Sequence, residues 1–257
     1  MKRIGIYSND SLVLSELVEK INKDYLSLFT TIYTDKGYLD TLEQIDNVRI
    51  TGISESFEDD VLIVLNDASK ILDKIKEFKG KVIDFSGTVV NVNNVVHIEE
   101  PVVYCFENLL DERNPDYAVI NLPAAIFGKA AVDDLLNQTR DIFSFVRNDY
   151  KVFDRMLAFN VFFLERSDEL YKNYFSFLDN KLDFPFELRQ LPVSTGFIID
   201  IFGDIDFEED DFFVKKHVYS LHDALEEEKV VVMKNGVKTT LVGDYLKIII
   251  KQIIDEL

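Results

Sequence analysis

Residues 61–85, VLIVLNDASKILDKIKEFKGKVIDF, contain the strand, helix and strand that decide the fold. The all-apolar run Val61–Leu65 is typical of a strand buried in a parallel sheet, and Lys81–Phe85 predicts the next strand. Between them, Ala68–Phe78 has helical periodicity. Its apolar face is formed by Ile71, Leu72, Ile75 and Phe78. This order of elements predicts a βαβ unit.

The same alternation extends toward the N-terminus. Lys2–Tyr7 (KRIGIY) predicts the first strand, and Ser27–Tyr33 is a second β-rich run. The helix predicted between them has one apolar face, formed by Leu14, Leu17, Val18 and Ile21. The pattern predicts an α/β fold with a Rossmann-like, doubly wound parallel sheet, which binds ligands beyond the carboxyl ends of its strands. We assign residues 1–112 to this domain.

The pattern changes after Asp111–Asp116 (DERNPD), a polar segment that contains proline and is typical of a domain boundary. We expect residues 113–240 to form an α+β domain with a mainly antiparallel sheet. Its predicted strands are Ala118–Asn121, Ala158–Leu164, Phe186–Val193 and Gly196–Phe202. Its predicted helices are Lys129–Phe145, Asp168–Leu178 and Leu221–Glu228. A hairpin at Asn235-Gly236 and a final helix, Asp244–Leu257, complete the chain.

The chain is strongly acidic, with 47 Asp and Glu against 28 Lys and Arg and a formal net charge of −19. Because such a surface repels phosphates and anionic lipids, we expect no nucleic-acid and no membrane partner. The single cysteine, Cys105, fits a reducing compartment, and we expect a cytoplasmic protein. No metal site is predicted, since the acidic segment Asp204–Asp211 (DIDFEEDD) lacks the spacing of a calcium-binding loop.

The turn after the first strand lacks the glycines of a dinucleotide-binding loop. Gly5 lies within the predicted strand, so the turn itself has no glycine that lets the backbone approach a pyrophosphate. Ser8, Asn9 and Ser11 are candidate cofactor-binding residues, because polar groups at a helix N-terminus can bind an anion. The Asp10 carboxylate repels a phosphate at this position. We therefore interpret the turn chiefly as an ordinary helix cap.

Five phrases spread over most of the chain carry a resemblance to a known family. They are VIDFSG (Val82–Gly87), PVVYCFEN (Pro101–Asn108), GKAAVDDLLNQT (Gly128–Thr139), KVFDRMLAFNV (Lys151–Val161) and LPVSTGF (Leu191–Phe197). With these phrases the chain resembles the aspartate-semialdehyde dehydrogenase family, and in particular its short, catalytically degenerate USG-1-like homologues. The phrase AFN, residues 158–160, is the most specific single match.

The resemblance implies a chemistry for which the sequence lacks the residues. Active members of the family bind NADP and form a cysteine thioester, assisted by a glutamine and a histidine. Pro123 stands where the glutamine is expected, and Phe197 where the histidine is expected. The segment that carries the nucleophile is missing between Asn108 and Ala118. Ser86, in the VIDFSG phrase, is the fourth candidate cofactor-binding residue.

Two further positions also provide no confident catalytic residue. The substrate-binding arginine of the family aligns with Gln190, with Arg189 adjacent, and a slip of one residue in a strand reverses the side-chain face. Cys105 lies in an apolar run without a basic neighbour, a pattern that predicts a buried, inert thiol. We therefore assign no catalytic residue and keep Cys105 only as an alternative nucleophile.

These observations predict a non-catalytic aspartate-semialdehyde dehydrogenase-like protein with a binding or assembly role and no cofactor. The resemblance implies a homodimer formed through the C-terminal domain, with residues 241–257 packed on the N-terminal domain. Two alternatives stay open. One is an NAD(P)-dependent oxidoreductase of an aldehyde or acyl phosphate, with a site rebuilt from Cys105, Asp84, Ser86 or Arg189. The other is a sensor that binds a nucleotide or metabolite without transforming it.

Overall fold

The computed structural model describes residues 2–25, 28–39, 48–53, 56–110, 115–146 and 149–257. The chain forms two compact units, one comprising Met1–Glu99 with Ile249–Leu257 and the other Glu100–Ile248. The domain boundary that the sequence suggests at residue 112 lies outside the described residues, as does Ser27 at the start of a predicted strand.

The first unit contains a six-stranded sheet in the order β3-β2-β1-β4-β5-β6. Its strands are β1 (Arg3–Tyr7), β2 (Phe29–Thr34), β3 (Arg49–Gly52), β4 (Val61–Val64), β5 (Lys81–Asp84) and β6 (Val95–His97). All of these strand pairs are parallel. The order is that of a Rossmann sheet, with the topological switch point between β1 and β4. The predicted doubly wound sheet is therefore confirmed.

Two helices of this unit follow the predicted periodicity. Helix α1 (Leu14–Asp24) buries the four predicted residues, which confirms its apolar face. Helix α2 (Leu72–Glu77) is shorter than predicted, because a turn closed by the hydrogen bond from Ile71 N–H to the Ala68 carbonyl (2.9 Å) precedes it. Strand β4 is buried along its whole length, as expected for a parallel strand covered on both faces.

The final helix, α7 (Tyr245–Asp255), ends within the first unit, to which residues 249–257 belong. The Gln252 amide and the Glu99 backbone exchange two hydrogen bonds, with Glu99 N–H donating at 3.0 Å and Gln252 Nε2 donating at 3.1 Å. Lys81 Nζ donates to the Glu256 carbonyl (2.6 Å) and forms an ion pair with its carboxylate. These contacts join the C-terminal residues to β5 and to the segment after β6.

The second unit contains a seven-stranded sheet in the order β11-β12-β13-β10-β7-β9-β8. Its strands are β7 (Tyr117–Leu122), β8 (Phe162–Phe163), β9 (Phe186–Gln190), β10 (Gly196–Phe202), β11 (Phe213–Lys215), β12 (Val230–Asn235) and β13 (Lys238–Asp244). Its helices are α3 (Pro101–Leu109), α4 (Lys129–Phe143), α5 (Lys172–Asp179) and α6 (Leu221–Leu225). Four strand pairs are antiparallel and two are parallel, so the mainly antiparallel α+β prediction is confirmed.

The predicted strand Ala158–Leu164 is wrong for its first half, because only Phe162–Phe163 pairs with β9. The buried Gln138 side chain of α4 accepts the N–H groups of Leu157 (2.7 Å) and Ala158 (3.2 Å). These two N–H groups therefore donate to a helix side chain and not to a neighbouring strand, so residues 157–158 do not join the sheet. The strand predicted to reach Val193 likewise ends at Gln190, close to Pro192, which has no N–H for a sheet ladder.

The apolar run that contains Cys105 is helical. Pro101 takes the first helical position of α3, and Glu100 is the N-cap, whose Oε2 accepts the N–H groups of Val102 (2.8 Å) and Val103 (3.0 Å). Proline at this position costs no hydrogen bond, because the first N–H groups of a helix have no partner within the helix. Across the described residues, no helix combines the length and the apolar character that a membrane crossing requires.

Candidate functional site

Four polar residues lie where β1, β2 and β4 end: Ser8, Asn9, Asp35 and Asn66. The register aligns them, since Tyr7 pairs with Tyr33 on one side and with Val64 on the other. A doubly wound sheet binds its ligand at this edge, beside the switch point between β1 and β4. We therefore take the carboxyl edge of this sheet as the candidate site.

The Asn9 side chain spans the gap between β1 and β2. Its Oδ1 accepts hydrogen bonds from the Thr34 hydroxyl (3.0 Å) and from the Asp35 backbone N–H (2.8 Å). Its Nδ2 donates to an Asp35 carboxylate oxygen (3.1 Å) and to the Tyr7 hydroxyl (3.3 Å). The donors and acceptors of this side chain are thus used within the protein.

The turn that follows β1 is held in the same way. Asn66 Oδ1 accepts the Asn9 backbone N–H (2.8 Å) and the Ser8 hydroxyl (3.1 Å). The Ser11 N–H donates to Ser8 Oγ (3.2 Å), and the Val13 N–H donates to Ser11 Oγ (3.2 Å). The structure therefore brings Ser8, Asn9 and Ser11 together, but their side chains are engaged in hydrogen bonds within the protein, as are the N–H groups of Asn9, Ser11 and Val13.

The turn also places charge at the edge of the sheet. Asp10 has a φ of 84°, in the left-handed region that a phosphate-binding loop reserves for glycine. Lys70 Nζ lies 2.6 Å from an Asp35 carboxylate oxygen, and this hydrogen bond raises the pKa of Lys70. Asp35, Asn66 and Lys70 were not predicted from the sequence. The available signal was their position just after predicted strands.

A second group of polar residues lies at the ends of β5 and β6. Asp84 is fully buried, and its Oδ1 accepts the Ser86 hydroxyl (2.6 Å) and the Ser86 N–H (2.9 Å). Its Oδ2 accepts the Val89 N–H (3.1 Å) and lies 3.1 Å from Nδ1 of His97. The candidate residue Ser86 therefore binds Asp84. A carboxylate at Nδ1 fixes the tautomer of a histidine and leaves Nε2 as its free nitrogen.

Cys105 lies on α3 and is fully buried. Burial raises the pKa of the Cys105 thiol well above its ordinary value, and the nearby Glu100 carboxylate raises it further. A thiol must ionise to act as a nucleophile, and this surrounding opposes ionisation. The thiol thus has the environment of a structural residue, as the sequence predicts.

Pro123 directly follows β7, and Phe197 lies in β10, the strand that pairs with β7. Pro123 precedes the 3-10 turn Ala124–Phe127. Phe197 is fully buried, and its ring leaves so little space beside Gly243 that an added Cβ there would lie 3.0 Å from it. The two replacements therefore form part of a packed core in place of a proton-transfer site.

Gln190 and Arg189 occupy opposite faces of β9. Gln190 is fully buried, and its Nε2 donates to the Leu122 carbonyl (2.9 Å) while its Oε1 accepts the Tyr171 hydroxyl (3.3 Å). Arg189 Nε lies 2.6 Å from a Glu187 carboxylate oxygen, and its guanidinium stacks 5.1 Å from the Phe163 ring centroid. Gln190 thus serves the core, and Arg189 is paired on the other face.

The second unit also contains an open groove of about 450 Å³ between α4 and α6. It is lined by Leu135, Leu136, Thr139, residues 192–196, Leu221, His222 and Leu225. These residues include no Asp, Glu, Lys or Arg that could bind a charged substrate. Among the described residues, no three His, Cys, Asp or Glu side chains are arranged to hold a metal ion.

No family model matches the sequence, and no curated protein is significantly similar to it. Solved structures do match. A probable aspartate-semialdehyde dehydrogenase from Pseudomonas aeruginosa has a TM-score of 0.72 and 15% sequence identity, over 99% of this chain and 98% of its own. Aspartate semialdehyde dehydrogenase II from Vibrio cholerae, in complex with ASA, has a TM-score of 0.73 and 13% identity, over 99% and 97%.

A third similar structure is the aspartate semialdehyde dehydrogenase from Francisella tularensis, with a TM-score of 0.63, 13% identity and 100% of both chains covered. At these identities the likeness is one of fold. The protein is thus a two-part α/β protein with a Rossmann-type parallel sheet and a mixed sheet. Its fold resembles that of the aspartate-semialdehyde dehydrogenases.

Proposed function

We propose that this protein is a catalytically inactive, USG-1-like relative of the aspartate-semialdehyde dehydrogenases. It neither oxidises aspartate semialdehyde nor binds NADP or NAD, and it acts by binding or assembly as a cytoplasmic homodimer with a protein partner. The single cysteine of the chain supports the reducing compartment.

The observation that carries this proposal is the burial of Cys105. It is the chain's single cysteine, and a thioester mechanism needs a thiolate that substrate can reach. Cys105 is fully buried, and its pKa is raised by burial and by Glu100. Phe197 adds to the argument, because a phenyl ring in a packed core can neither accept nor donate a proton.

The carboxyl edge of the first sheet is closed, in that its polar residues Ser8, Asn9, Asp35 and Asn66 bind one another. This closed edge supports the proposal that the protein binds no nucleotide. A dinucleotide needs free N–H groups at the helix N-terminus for its pyrophosphate and a free acid after β2 for its ribose. Here the Ser11 hydroxyl accepts the Val13 N–H just before helix α1, and Asn9 with Lys70 binds the Asp35 carboxylate. A nucleotide must break these contacts and also approach Asp10.

A second candidate function, an enzyme with altered chemistry, is favoured by one observation. His97 lies 3.1 Å from the buried Asp84 at the end of β6, an arrangement that prepares an imidazole as a general base. The His97 side chain is 56% exposed, so a substrate can reach Nε2. Of the other residues that were considered for such a site, Cys105 is buried and Arg189 is paired with Glu187.

Both candidates are tested by one assay of phosphate-dependent NADP reduction with aspartate semialdehyde. The proposal predicts that the wild-type protein and the Cys105→Ala variant give the same background rate. Turnover that Cys105→Ala abolishes would contradict it. Turnover that survives Cys105→Ala but is lost in His97→Ala would favour the second candidate.

A further inference from the structure

Strands β6 and β11 lie at the ends of their sheets, and each pairs in parallel with one neighbouring strand. Along such a strand every second residue turns its N–H and C=O groups toward the neighbour, and the residues between them turn these groups to the outer side. A row of outward groups can bind a further strand unless the chain itself occupies it. The two strands differ in this respect.

The outer side of β11 is bonded within the chain. The register with β12 turns Phe213 and Lys215 outward. The Phe213 N–H donates to Asp210 Oδ1 (2.6 Å), and its carbonyl accepts the Asp210 N–H (3.2 Å). The Lys215 N–H donates to Glu209 Oε1 (2.6 Å). The acidic segment Asp204–Asp211 therefore has a structural role, because it covers this strand.

The outer side of β6 has no such cover. The Val82 N–H of β5 donates to the Asn94 carbonyl (3.0 Å), and the register then directs the Val96 groups toward β5 and those of Val95 and His97 outward. Among the described residues, no hydrogen bond reaches the N–H or C=O group of Val95 or His97. We call these outward main-chain groups of Val95 and His97 the open side of β6.

The chain bonds the same kind of group two residues further on. The Glu99 N–H donates to Gln252 Oε1 (3.0 Å), and Gln252 Nε2 donates to the Glu99 carbonyl (3.1 Å). A side-chain amide thus supplies the donor and the acceptor that a neighbouring strand would supply. The open side of β6 therefore ends at His97.

The open side of β6 also lacks the usual protection of a strand at the end of a sheet. Residues 94–98, NVVHI, contain no lysine and no proline, which commonly prevent pairing with another chain. Val95, Val96 and Ile98 are β-branched, as is typical of paired strands. Val95 and Val96 are half-buried and His97 is exposed, so another chain can approach them.

The groups on the open side of β6 indicate what can bind there. Donors and acceptors of the main chain repeat every second residue, which matches the main chain of an extended polypeptide. Charge restricts the side chains of that polypeptide. The protein has a net charge of −19, and Glu99 follows the strand, so a basic segment is attracted and an acidic one is repelled.

We propose that the open side of β6 binds a basic, extended segment of a partner protein, which becomes a seventh strand of the first sheet. Two N–H and two C=O groups are available, so a short segment binds weakly by itself. This inference rests on the protein partner of the proposed function and adds the surface that binds it.

The test uses the full-length, isotope-labelled protein and the synthetic peptide acetyl-KTVTVTK-amide as the probe. Amide hydrogen exchange is followed by NMR. In the free protein, we expect the Val95 and His97 amides to exchange at least tenfold faster than the Val96 amide, which is directed toward β5. Saturating peptide should slow exchange at Val95 and His97 at least tenfold, with a dissociation constant of about 1 mM or below.

Two matched controls separate main-chain recognition from attraction by charge. The same peptide, N-methylated at each threonine and valine, keeps its charge but loses its donors, and should give no protection. His97→Pro removes the outward N–H together with the imidazole, whereas His97→Ala removes the imidazole alone. The peptide should bind at least tenfold more weakly to His97→Pro and within about twofold of the wild type to His97→Ala.

Three results would overturn the proposal. One is a lack of protection at 10 mM peptide, because recognition of the main chain tolerates any extended sequence. Another is equal protection by the N-methylated peptide. The third is slow exchange at Val95 and His97 in the free protein, and loss of this protection on dilution would show that a second copy covers β6. None of these results changes the proposal of an inactive dehydrogenase relative, which rests on Cys105.

Discussion

The Tyr174 hydroxyl donates a 2.7 Å hydrogen bond to the Glu100 carboxylate inside the second unit. Glu100 also accepts the N–H groups of Val102 and Val103 and a hydrogen bond from the Tyr245 side chain. These bonds lower its pKa, but the loss of solvation around the carboxyl has the larger effect and raises the pKa of Glu100 to about 7. The carboxyl therefore changes its protonation near neutral pH.

We predict that Glu100 makes the free energy of unfolding fall as pH rises. Its pKa is higher in the folded protein than in the unfolded chain, so the folded protein binds the extra proton. The resulting stabilisation is fully present below pH about 4.5 and is lost as pH rises through about 7, a change of about 3 kcal/mol. Urea unfolding of the wild type and Glu100→Gln across this range measures it.

The comparison with Glu100→Gln isolates this group, because the other carboxyl groups are common to both proteins. The stability difference, wild type minus variant, should decrease from acid to neutral pH. A difference that stays constant or increases with pH would contradict a raised pKa of Glu100 in the folded protein.

Asp134→Ala should destabilise the protein by about 3 kcal/mol, because it removes a buried carboxylate and leaves three backbone N–H groups without an acceptor. One carboxylate oxygen of Asp134 accepts the N–H groups of Lys151 (3.2 Å), Val152 (2.8 Å) and Phe153 (3.1 Å). The neighbouring Asp133 is exposed and forms an ion pair with Lys129, so Asp133→Ala is the matched control and should cost less than about 0.5 kcal/mol. Equal effects of the two variants in chemical denaturation would contradict the assigned role.

Cys105 should react with iodoacetamide only after the protein unfolds. The thiol is fully buried, and its raised pKa leaves little thiolate at neutral pH. Mass spectrometry of the native protein should show an unmodified thiol, while the denatured chain should be alkylated completely. Rapid labelling of the folded protein would remove the main support for an inactive site.

Asn9→Ala should lower the free energy of unfolding by about 1–2 kcal/mol, because Thr34 and the Asp35 N–H lose their acceptor. Asn9→Asp keeps an acceptor but replaces the amide that donates to the Asp35 carboxylate with a second carboxylate. We expect this variant to be destabilised at pH 7 and to recover part of its stability in acid. An Asn9→Asp variant as stable as the wild type at pH 7 would show that this contact does not hold the edge closed.

Local pattern predicts the first sheet because each of its elements is decided by its own residues. The apolar run at Val61–Leu65 specifies a buried strand wherever it lies in the chain, and the spacing of Leu14, Leu17, Val18 and Ile21 specifies one helix face. The strand at Ala158 fails for the opposite reason. Its backbone is bound by Gln138, a residue on another element, and no local pattern reveals that contact.

In the candidate site, too, local sequence predicts some features, and others depend on contacts between distant residues. The sequence indicates Ser8, Asn9 and Ser11, because their residue types and their position after a strand are local information. The bonds that close the edge depend on the alignment of β1 with β2 and β4, which places Asp35 and Asn66 beside Asn9. The sequence does not indicate His97 as a partner of Asp84, because the two residues are thirteen positions apart, at strand ends that only the sheet brings together.

Calorimetric titration of the purified protein with NADP and with NAD, at low salt and up to millimolar concentration, tests the central claim most directly. An edge closed by Asn9, Asn66 and Lys70 predicts no heat of binding for either nucleotide. A dissociation constant in the micromolar range, roughly −7 to −8 kcal/mol, would contradict the account, because the turn at Ser8–Ser11 would then bind a pyrophosphate.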